Sequence, residues 1–170
     1  MSRRFPLAPM SGLIRGLTFL FVPLPLVFLA GSTLGGAQIA QILSGVGGAL
    51  AVLWLAVWTF FRPSGFTVGP EGLTIEFPGR RLHVPRAELA TAAIMKLAEL
   101  RPRYGVAARV GVGGLWGGFG WLWSTERGWV DLYVTRTDRW VLVERKNGKD
   151  LLLNPDNAEA FVSAVIEASR

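Results

Sequence analysis

The chain has 170 residues, of which 51% are apolar and 18% are charged, and its mean hydropathy is +0.37. An ordinary globular chain is about 25% charged, so this composition excludes a fully soluble protein. The chain has no cysteine and one histidine, which excludes disulfide frameworks, thiolate metal sites and thiol nucleophiles. We therefore expect no cofactor, no metal and no enzymatic activity.

The first feature along the chain is a long segment without any charged side chain, residues 16–61. A transmembrane helix needs about 20 apolar residues, so this segment can form two helices and a turn. Weakly polar, glycine-rich residues at 31–38 predict the turn. Pro23 and Pro25 predict a kink in the first helix. We expect residues 16–61 to form a two-helix membrane hairpin.

Basic residues flank this hairpin and predict its orientation. Three arginines precede the first helix and one follows the second at once, whereas the turn has no lysine or arginine. The positive-inside rule then places both termini in the cytoplasm. We predict a multi-pass protein of the inner membrane, with residues 1–15 as a basic cytoplasmic arm. The anchors expected at the membrane interface are Arg3, Arg4, Arg15, Trp54, Trp58 and Arg62.

A cleaved signal peptide is the alternative for the first helix, with the small residues 35–37 as the cleavage site. Even then, the second helix would return the rest of the chain to the cytoplasm. The pair Arg3-Arg4 is similar to a twin-arginine signal, but Phe5 stands one place early. We therefore interpret the pair as a charge cluster that sets the topology.

Residues 62–170 contain short segments of alternating polarity separated by turns, a pattern typical of a mainly β domain. Asn147-Gly148 is a strong hairpin signal. Residues 91–100 are ambiguous, and we favour a strand with a helical first turn. The clearest predicted strands are residues 65–68, 73–77, 81–84, 129–135, 139–145 and 150–153.

A helix is predicted after the last strand. Asn154 is a good N-cap and Pro155 suits the first helical position. One apolar face follows at helical spacing, and we expect the amphipathic helix to close the sheet. The residues of that face are Ala158, Phe161, Val162, Val165 and Ile166.

About seven short strands in meander order followed by one amphipathic helix resemble the bacterial pleckstrin-homology (PH)-like family, over roughly residues 64–168. The resemblance implies a PH-like sheet or barrel, often preceded by a membrane hairpin, that docks lipid headgroups or proteins. Arg80 and Arg81 lie in the second turn and Glu71 lies in the first, which departs from the basic first hairpin of phosphoinositide-binding members. The segments that carry the resemblance are residues 72–75, 110–123, 132–135 and 154–161.

Residues 110–123 are rich in glycine and tryptophan. They lack the Lys-Ser/Thr pair of a phosphate-binding loop. One interpretation is a bulged strand pair that bends tightly. The others are a binding surface and a tryptophan-rich edge in the lipid headgroup layer. A third membrane span is disfavoured because the uncharged stretch 110–125, as a helix of 16 residues, would reach only ~24 Å.

The function predicted from these features is a non-enzymatic, membrane-tethered module that docks a membrane-protein partner or a second copy at the cytoplasmic face. The alternatives are a sensor of anionic lipid headgroups, an accessory subunit of a membrane complex, and an accessory with a small-ligand pocket. Nucleic acid is not expected, because acidic and basic residues are interspersed. The candidate surface for lipid or partner comprises Arg80, Arg81, Arg101, Arg103, Trp116, Trp121 and Trp123.

Overall fold

The computed structural model describes residues 2–169, apart from the side chains of Leu97, Leu100 and Arg101. Its N-terminal part contains two long apolar helical stretches, residues 12–34 and 37–61, each long enough to cross a membrane. In the most apolar 18-residue window of each stretch, only 17% and 6% of the residues are buried, so most of both windows is exposed. The helices of these stretches are α1 (Gly12–Phe21), α2 (Leu24–Gly31) and α3 (Ala37–Ala56), and α3 continues into a π-helical turn (Val57–Phe61).

The first stretch is broken between α1 and α2, beside Pro23. A proline ring has no N–H to donate and clashes with the preceding turn, so the kink predicted from the sequence is confirmed. The second half of this stretch packs closely on α3. A Cβ added to Gly47 would lie 2.9 Å from Leu29 Cγ and 3.0 Å from the Pro25 carbonyl oxygen. Gly47 therefore sets the close approach of the two helices.

Four antiparallel strands form the first sheet in the order β1-β2-β3-β4. In β1, Arg3 lies opposite Val68 and Pro6 opposite Gly65 of β2, so these residues are the edge strand of the sheet and not part of a separate basic arm. Since β1 precedes the hairpin and β2 follows it, both ends of the hairpin must lie on the same side of a membrane that it crosses. The strands are β1 (Arg3–Pro6), β2 (Gly65–Gly69), β3 (Gly72–Glu76) and β4 (Arg81–Pro85).

The second sheet has six strands in the order β5-β9-β10-β8-β7-β6. Strand β10 lies between β8 and β9 and runs parallel to β8, so the predicted meander order is wrong at this point. The strands are β5 (Leu89–Met95), β6 (Ala107–Gly113), β7 (Gly118–Ser124), β8 (Gly128–Val134), β9 (Trp140–Arg145) and β10 (Asp150–Leu153).

Two details of the β region differ from the sequence prediction. Nine strands lie between Gly65 and Leu153, where about seven were predicted. Residues 91–100 hold the end of β5 and then helix α4 (Leu97–Tyr104), so the helix follows the strand and does not begin it. In the described residues no strand of one sheet pairs with a strand of the other. Of the two forms predicted, a PH-like sheet or a barrel, the structure therefore has sheets and no closed barrel.

The main core lies between the two sheets and helix α5 (Ala158–Ser169), which packs on β5, β2 and β3. Phe161 is fully buried and makes edge-to-face contacts with Phe5, at 5.3 Å between ring centroids, and with Phe66, at 5.8 Å. A second cluster on the other face of the six-stranded sheet includes Tyr104, which is also fully buried. We refer to residues 62–169 together with β1 as the β domain.

Helix α5 begins later than the sequence predicts. The Asn157 side chain caps it by accepting a hydrogen bond from the Ala160 N–H at 3.0 Å. Asn154 is instead almost fully buried, and its Oδ1 accepts the N–H groups of Thr135 and Arg136, each at 3.1 Å. The prediction of Asn154 as the N-cap was wrong because its side chain is hydrogen-bonded to the backbone that follows β8.

Candidate functional site

The hairpin and the β domain meet at the loop between β6 and β7. The Thr18 hydroxyl accepts the Trp116 N–H at 2.9 Å and lies 3.1 Å from the Gly114 carbonyl and 2.8 Å from the Ile14 carbonyl. Thr18 is 7% exposed, so these hydrogen bonds are shielded from solvent. The loop is thereby fastened to the first turns of α1.

Trp116 adopts an unusual backbone conformation in this loop, with φ at 58°. The left-handed region costs a bulky L residue roughly 1–2 kcal/mol. The hydrogen bond to Thr18 offsets this cost, as does an edge-to-face contact with Trp58 at 4.9 Å between ring centroids. Trp116 therefore lies at the junction of hairpin and domain, apart from the other tryptophans with which the sequence grouped it.

Arg62 follows the π-helical turn and donates its backbone N–H to the Val57 carbonyl at 2.9 Å. Its guanidinium carbon lies 4.3 Å from the Trp58 ring centroid. The side-chain Nε is buried without a hydrogen-bond partner, and no carboxylate of the described residues forms an ion pair with Arg62. Burial lowers the pKa of this guanidinium from its ordinary value.

Arg80 lies at the same junction, but its side-chain N–H groups already donate hydrogen bonds within the protein. Its Nε donates to the Phe60 carbonyl at 2.8 Å, and its guanidinium carbon lies 4.2 Å from the Phe77 ring centroid. The preceding Gly79 N–H donates to the Thr59 carbonyl at 2.9 Å. The turn between β3 and β4 therefore caps the end of the second apolar stretch, and Arg80 joins the two parts of the structure.

The other predicted arginines do not gather beside Arg80. Arg81 is exposed on β4, opposite Glu76. Arg103 forms an ion pair with Glu144 at 2.8 Å. The side chain of Arg101 lies outside the described residues. The described members of the predicted surface thus occupy several separate places.

The predicted membrane anchors are also spread over different environments. Arg3, on β1, lies opposite Val68, near the end of β2 that is farther from the second apolar stretch. Arg4 forms an ion pair with Glu76 at 2.9 Å. Arg15 is exposed on α1. Trp54 donates its indole N–H to the Phe21 carbonyl at 3.2 Å, which joins the two apolar stretches.

An exposed apolar patch occupies one face of β6, β7 and β8, and we call it the tryptophan face. Trp121 of β7 lies opposite Val110 of β6, and Trp123 of β7 lies opposite Trp129 of β8. The sequence predicted two of these residues but missed Trp129 and Val110, because the strand register that aligns them was unknown. The exposed fractions are 38% for Trp121, 40% for Trp123, 46% for Trp129 and 48% for Val110.

The tryptophan face is exposed because the core on this side of the sheet covers β5, β9 and β10 but reaches only Phe119 of β7 and Tyr133 of β8. Charged groups border it. Lys149 Nζ lies 5.7 Å from the Trp121 ring centroid and 3.7 Å from Asp131 Oδ1. An apolar centre with a charged rim is the usual anatomy of a protein interface.

The glycines of residues 110–123 allow two strands to approach closely. Gly111 and Gly120 lie opposite each other, with φ at +141° and +129°. A Cβ on Gly111 would lie 2.2 Å from the Phe119 carbonyl oxygen, and one on Gly120 would lie 2.4 Å from that of Val110. The segment is thus a closely approaching strand pair, as one interpretation predicted, but the register between β6 and β7 is continuous and the predicted bulge is absent from it.

Sites for a metal or a small ligand receive little support. In the described part of the chain, no cluster of three or more His, Asp or Glu side chains could hold a metal ion. An open cleft of about 580 Å³ lies beside the end of β2 and the last turns of α5, with Arg3, Arg86 and Glu167 in its lining. It is distant in the fold from the junction described above, since β2 leads away from the second span.

The comparisons with known proteins cover the β region. No curated protein and no solved structure matches the chain. A family model described as Bacterial PH domain matches residues 64–168, a range that runs from the start of β2 into α5 and includes both sheets except β1. PH-like domains are generally non-catalytic modules that bind proteins or lipids. Because the matched range is well over half of the sequence and coincides with the two-sheet unit, the chain belongs to the bacterial PH domain family.

Proposed function

We propose that the protein is a non-enzymatic docking module, tethered by its hairpin to the cytoplasmic face of the inner membrane. The observation that carries this proposal is the pairing of β1 with β2 across the hairpin. A domain that encloses both ends of its own anchor cannot swing freely on a linker. It is held against the bilayer at a defined orientation.

The charge pattern supports the cytoplasmic side. Arg15 lies in the first turns of α1 and Arg62 follows the second stretch, whereas the turn between the stretches has no basic residue. The positive-inside rule places such arginines in the cytoplasm. With both ends of the hairpin on one side, the β domain faces the same compartment.

Single-cysteine labelling tests this topology cleanly, because the chain has no cysteine of its own. We expect Ser2→Cys and Ser163→Cys to react with a membrane-impermeant maleimide only when the cytoplasmic side is open. Thr33→Cys, in the turn of the hairpin, should react from the opposite side. Labelling of all three positions from one side, or release of the protein by carbonate, would contradict the tether.

The partner proposed for this module is another membrane protein, which binds the tryptophan face. Tryptophan is enriched among the residues that dominate binding energy at interfaces. Trp123 and Trp129 are adjacent across the strand pair and half exposed. Because the domain is fixed to its anchor, the face meets membrane partners at a raised effective concentration, so modest contacts suffice.

Site-specific photo-crosslinking in native membranes tests the docking. We expect a benzophenone amino acid at Trp129 to give a discrete adduct with a protein that resists carbonate extraction. The same probe at the exposed Arg81 is the matched control and should give none. Trp123→Ala, a second change in the tryptophan face, should weaken the adduct at position 129.

Two outcomes would overturn the partner assignment. An adduct of about twice the 18.5 kDa chain mass would identify a second copy as the occupant. Equal adducts from positions 129 and 81 would show that the tryptophan face has no special role.

A further inference from the structure

We propose that the partner of the tryptophan face docks as an extended strand, which pairs with the outer edge of β6 and carries acidic side chains on one side. This inference rests on the proposed docking function and adds the conformation and the charge of the docked segment. Strand β6 (Ala107–Gly113) is the last strand of the six-stranded sheet, and among the described strands it pairs with β7 alone.

The outer edge of β6 presents a row of unpaired backbone groups. In an antiparallel pair, the backbone groups of successive residues point alternately toward the neighbouring strand and away from it. Two hydrogen bonds flank the ladder, from the Gly114 N–H to the Gly117 carbonyl at 3.0 Å and from the Thr125 N–H to the Val106 carbonyl at 3.1 Å. Even-numbered residues of β6 therefore bond to β7, and the odd-numbered residues of 107–113 point outward. An added strand is the ligand that satisfies such a row along its length.

The edges of the first sheet are protected against such pairing, whereas β6 is not. Natural sheets protect an edge strand with charged side chains and with proline. The first sheet follows this rule at both of its edges, with Arg3, Arg4 and Pro6 on β1 and Arg81 and Pro85 on β4. Strand β6 has seven mostly exposed residues, no proline and a single charge. Its length and composition therefore suit it to pair with another chain.

One side of an added strand would continue the tryptophan face. Ala108 and Val112 share the side of Val110, because alternate residues of a strand point to the same side of the sheet. Ala108 lies opposite Trp123, whose ring is 40% exposed. The small side chain of Ala108 leaves this ring within reach of the next strand. A large apolar side chain beside Ala108 would therefore cover Trp123 while the backbones pair.

The other side of the edge favours an acidic segment. Arg109 is exposed on this side, and its guanidinium lies over two glycines. A Cβ on Gly118 would lie 3.0 Å from Arg109 Nη1, and one on Gly113 would collide with Nη2. Within the described part of the chain, no carboxylate forms an ion pair with Arg109. Opposite charges across a strand pair are stabilising, so the docked strand carries Asp or Glu at this position.

The same charge disfavours a second copy of the chain as the occupant. If two β6 strands paired antiparallel over their full length, Arg109 of each would lie opposite Gly111 of the other. The two arginines would then occupy diagonal positions on one side of the sheet, about 7–8 Å apart, which long side chains can bridge. Like charges at this separation repel. A partner segment of different, acidic sequence avoids the repulsion.

Hydrogen exchange at single amides of the full chain in detergent micelles tests the docking mode. The probes are two synthetic peptides of about nine residues, enough to cover the seven of β6, which alternate isoleucine with glutamate or with lysine. We expect the glutamate peptide to slow exchange at the outward amides of Ala107 and Arg109 about tenfold when roughly nine tenths of the chain is bound. The amides of Ala108 and Val110, already bonded to β7, should not change. The lysine peptide should protect none of them at the same concentration.

Arg109→Glu reverses the charge that is proposed to select the segment. We expect it to weaken binding of the glutamate peptide about fivefold and to tighten binding of the lysine peptide by a similar factor. Arg86→Glu is the matched control, because it reverses another exposed arginine of the β domain, beyond the end of β4. It should leave both affinities unchanged. Circular dichroism confirms that both variants fold.

Three outcomes would overturn strand docking. They are equal binding of both peptides, protection spread equally over outward and inward amides, and slowing of the outward amides by a higher concentration of the chain alone, which would identify a second copy. The photo-crosslink at position 129 separates this inference from the proposed function. An adduct there without protection by the glutamate peptide would refute strand docking and leave the docking function standing, whereas absence of the adduct would refute the function itself.

Discussion

We expect Phe161→Ala to lower the free energy of unfolding of the β domain by about 3–5 kcal/mol, the usual cost of truncating a buried phenylalanine. Phe161 is fully buried, and its ring touches Phe5 of β1 and Phe66 of β2. It therefore joins β1, which precedes the hairpin, to β2 and α5, which follow it. Its loss leaves a cavity where α5, β1 and β2 meet and weakens the attachment of the edge strand.

Urea unfolding of the full chain in detergent micelles, followed by tryptophan fluorescence, measures this change. Phe19→Ala is the matched control, because it removes the same ring from a position of α1 that is 73% exposed. That variant should unfold at nearly the same urea concentration as the unaltered protein. A similar loss in both variants would mean that Phe161 does not anchor the core.

The sequence predicts those parts of the fold that local pattern determines. The apolar face of α5 is an example, since the helical spacing correctly brings Ala158, Phe161 and Val165 into the core. The break beside Pro23 is another, because a proline interrupts a helix whatever surrounds it. In both cases the cause lies within a few residues of its effect.

Long-range pairing could not be predicted in the same way. Strand β1 has four residues, and only its partner β2, on the far side of the hairpin, makes it a strand. The insertion of β10 between β8 and β9 depends likewise on contacts between distant segments. A four-residue segment carries too little pattern to reveal which edge it will join.

In the candidate site, too, local sequence indicates the residue types but not the long-range contacts that these residues make. The sequence placed Trp116 and Arg80 in the candidate surface for lipid or partner, and so treated both as free surface. Each is in fact bound by an atom of the apolar helical stretches, Thr18 Oγ1 in one case and the Phe60 carbonyl in the other. Residue type indicates which interactions a side chain can make, and only the tertiary fold decides which donors remain unused.

Asn154 gives the second large expected effect. We expect Asn154→Ala to lower the free energy of unfolding by about 3 kcal/mol, because each buried polar group left unpaired costs about 1–3 kcal/mol. The change would orphan the N–H groups of Thr135 and Arg136 and the Arg139 carbonyl, which accepts from Asn154 Nδ2 at 3.1 Å. These groups hold the segment between β8 and β9 against the start of the segment that leads to α5.

Asn157→Ala is the informative comparison, measured by the same urea unfolding. It removes an exposed helix cap, which typically costs about 1 kcal/mol. If Asn154 were the cap, as the sequence pattern suggests, Asn154→Ala would cost about 1 kcal/mol and Asn157→Ala would cost nothing. The structure instead predicts a loss of about 3 kcal/mol at 154 and about 1 kcal/mol at 157. A loss of only about 1 kcal/mol from Asn154→Ala with none from Asn157→Ala would therefore contradict the buried network and restore the helix start that the sequence suggested.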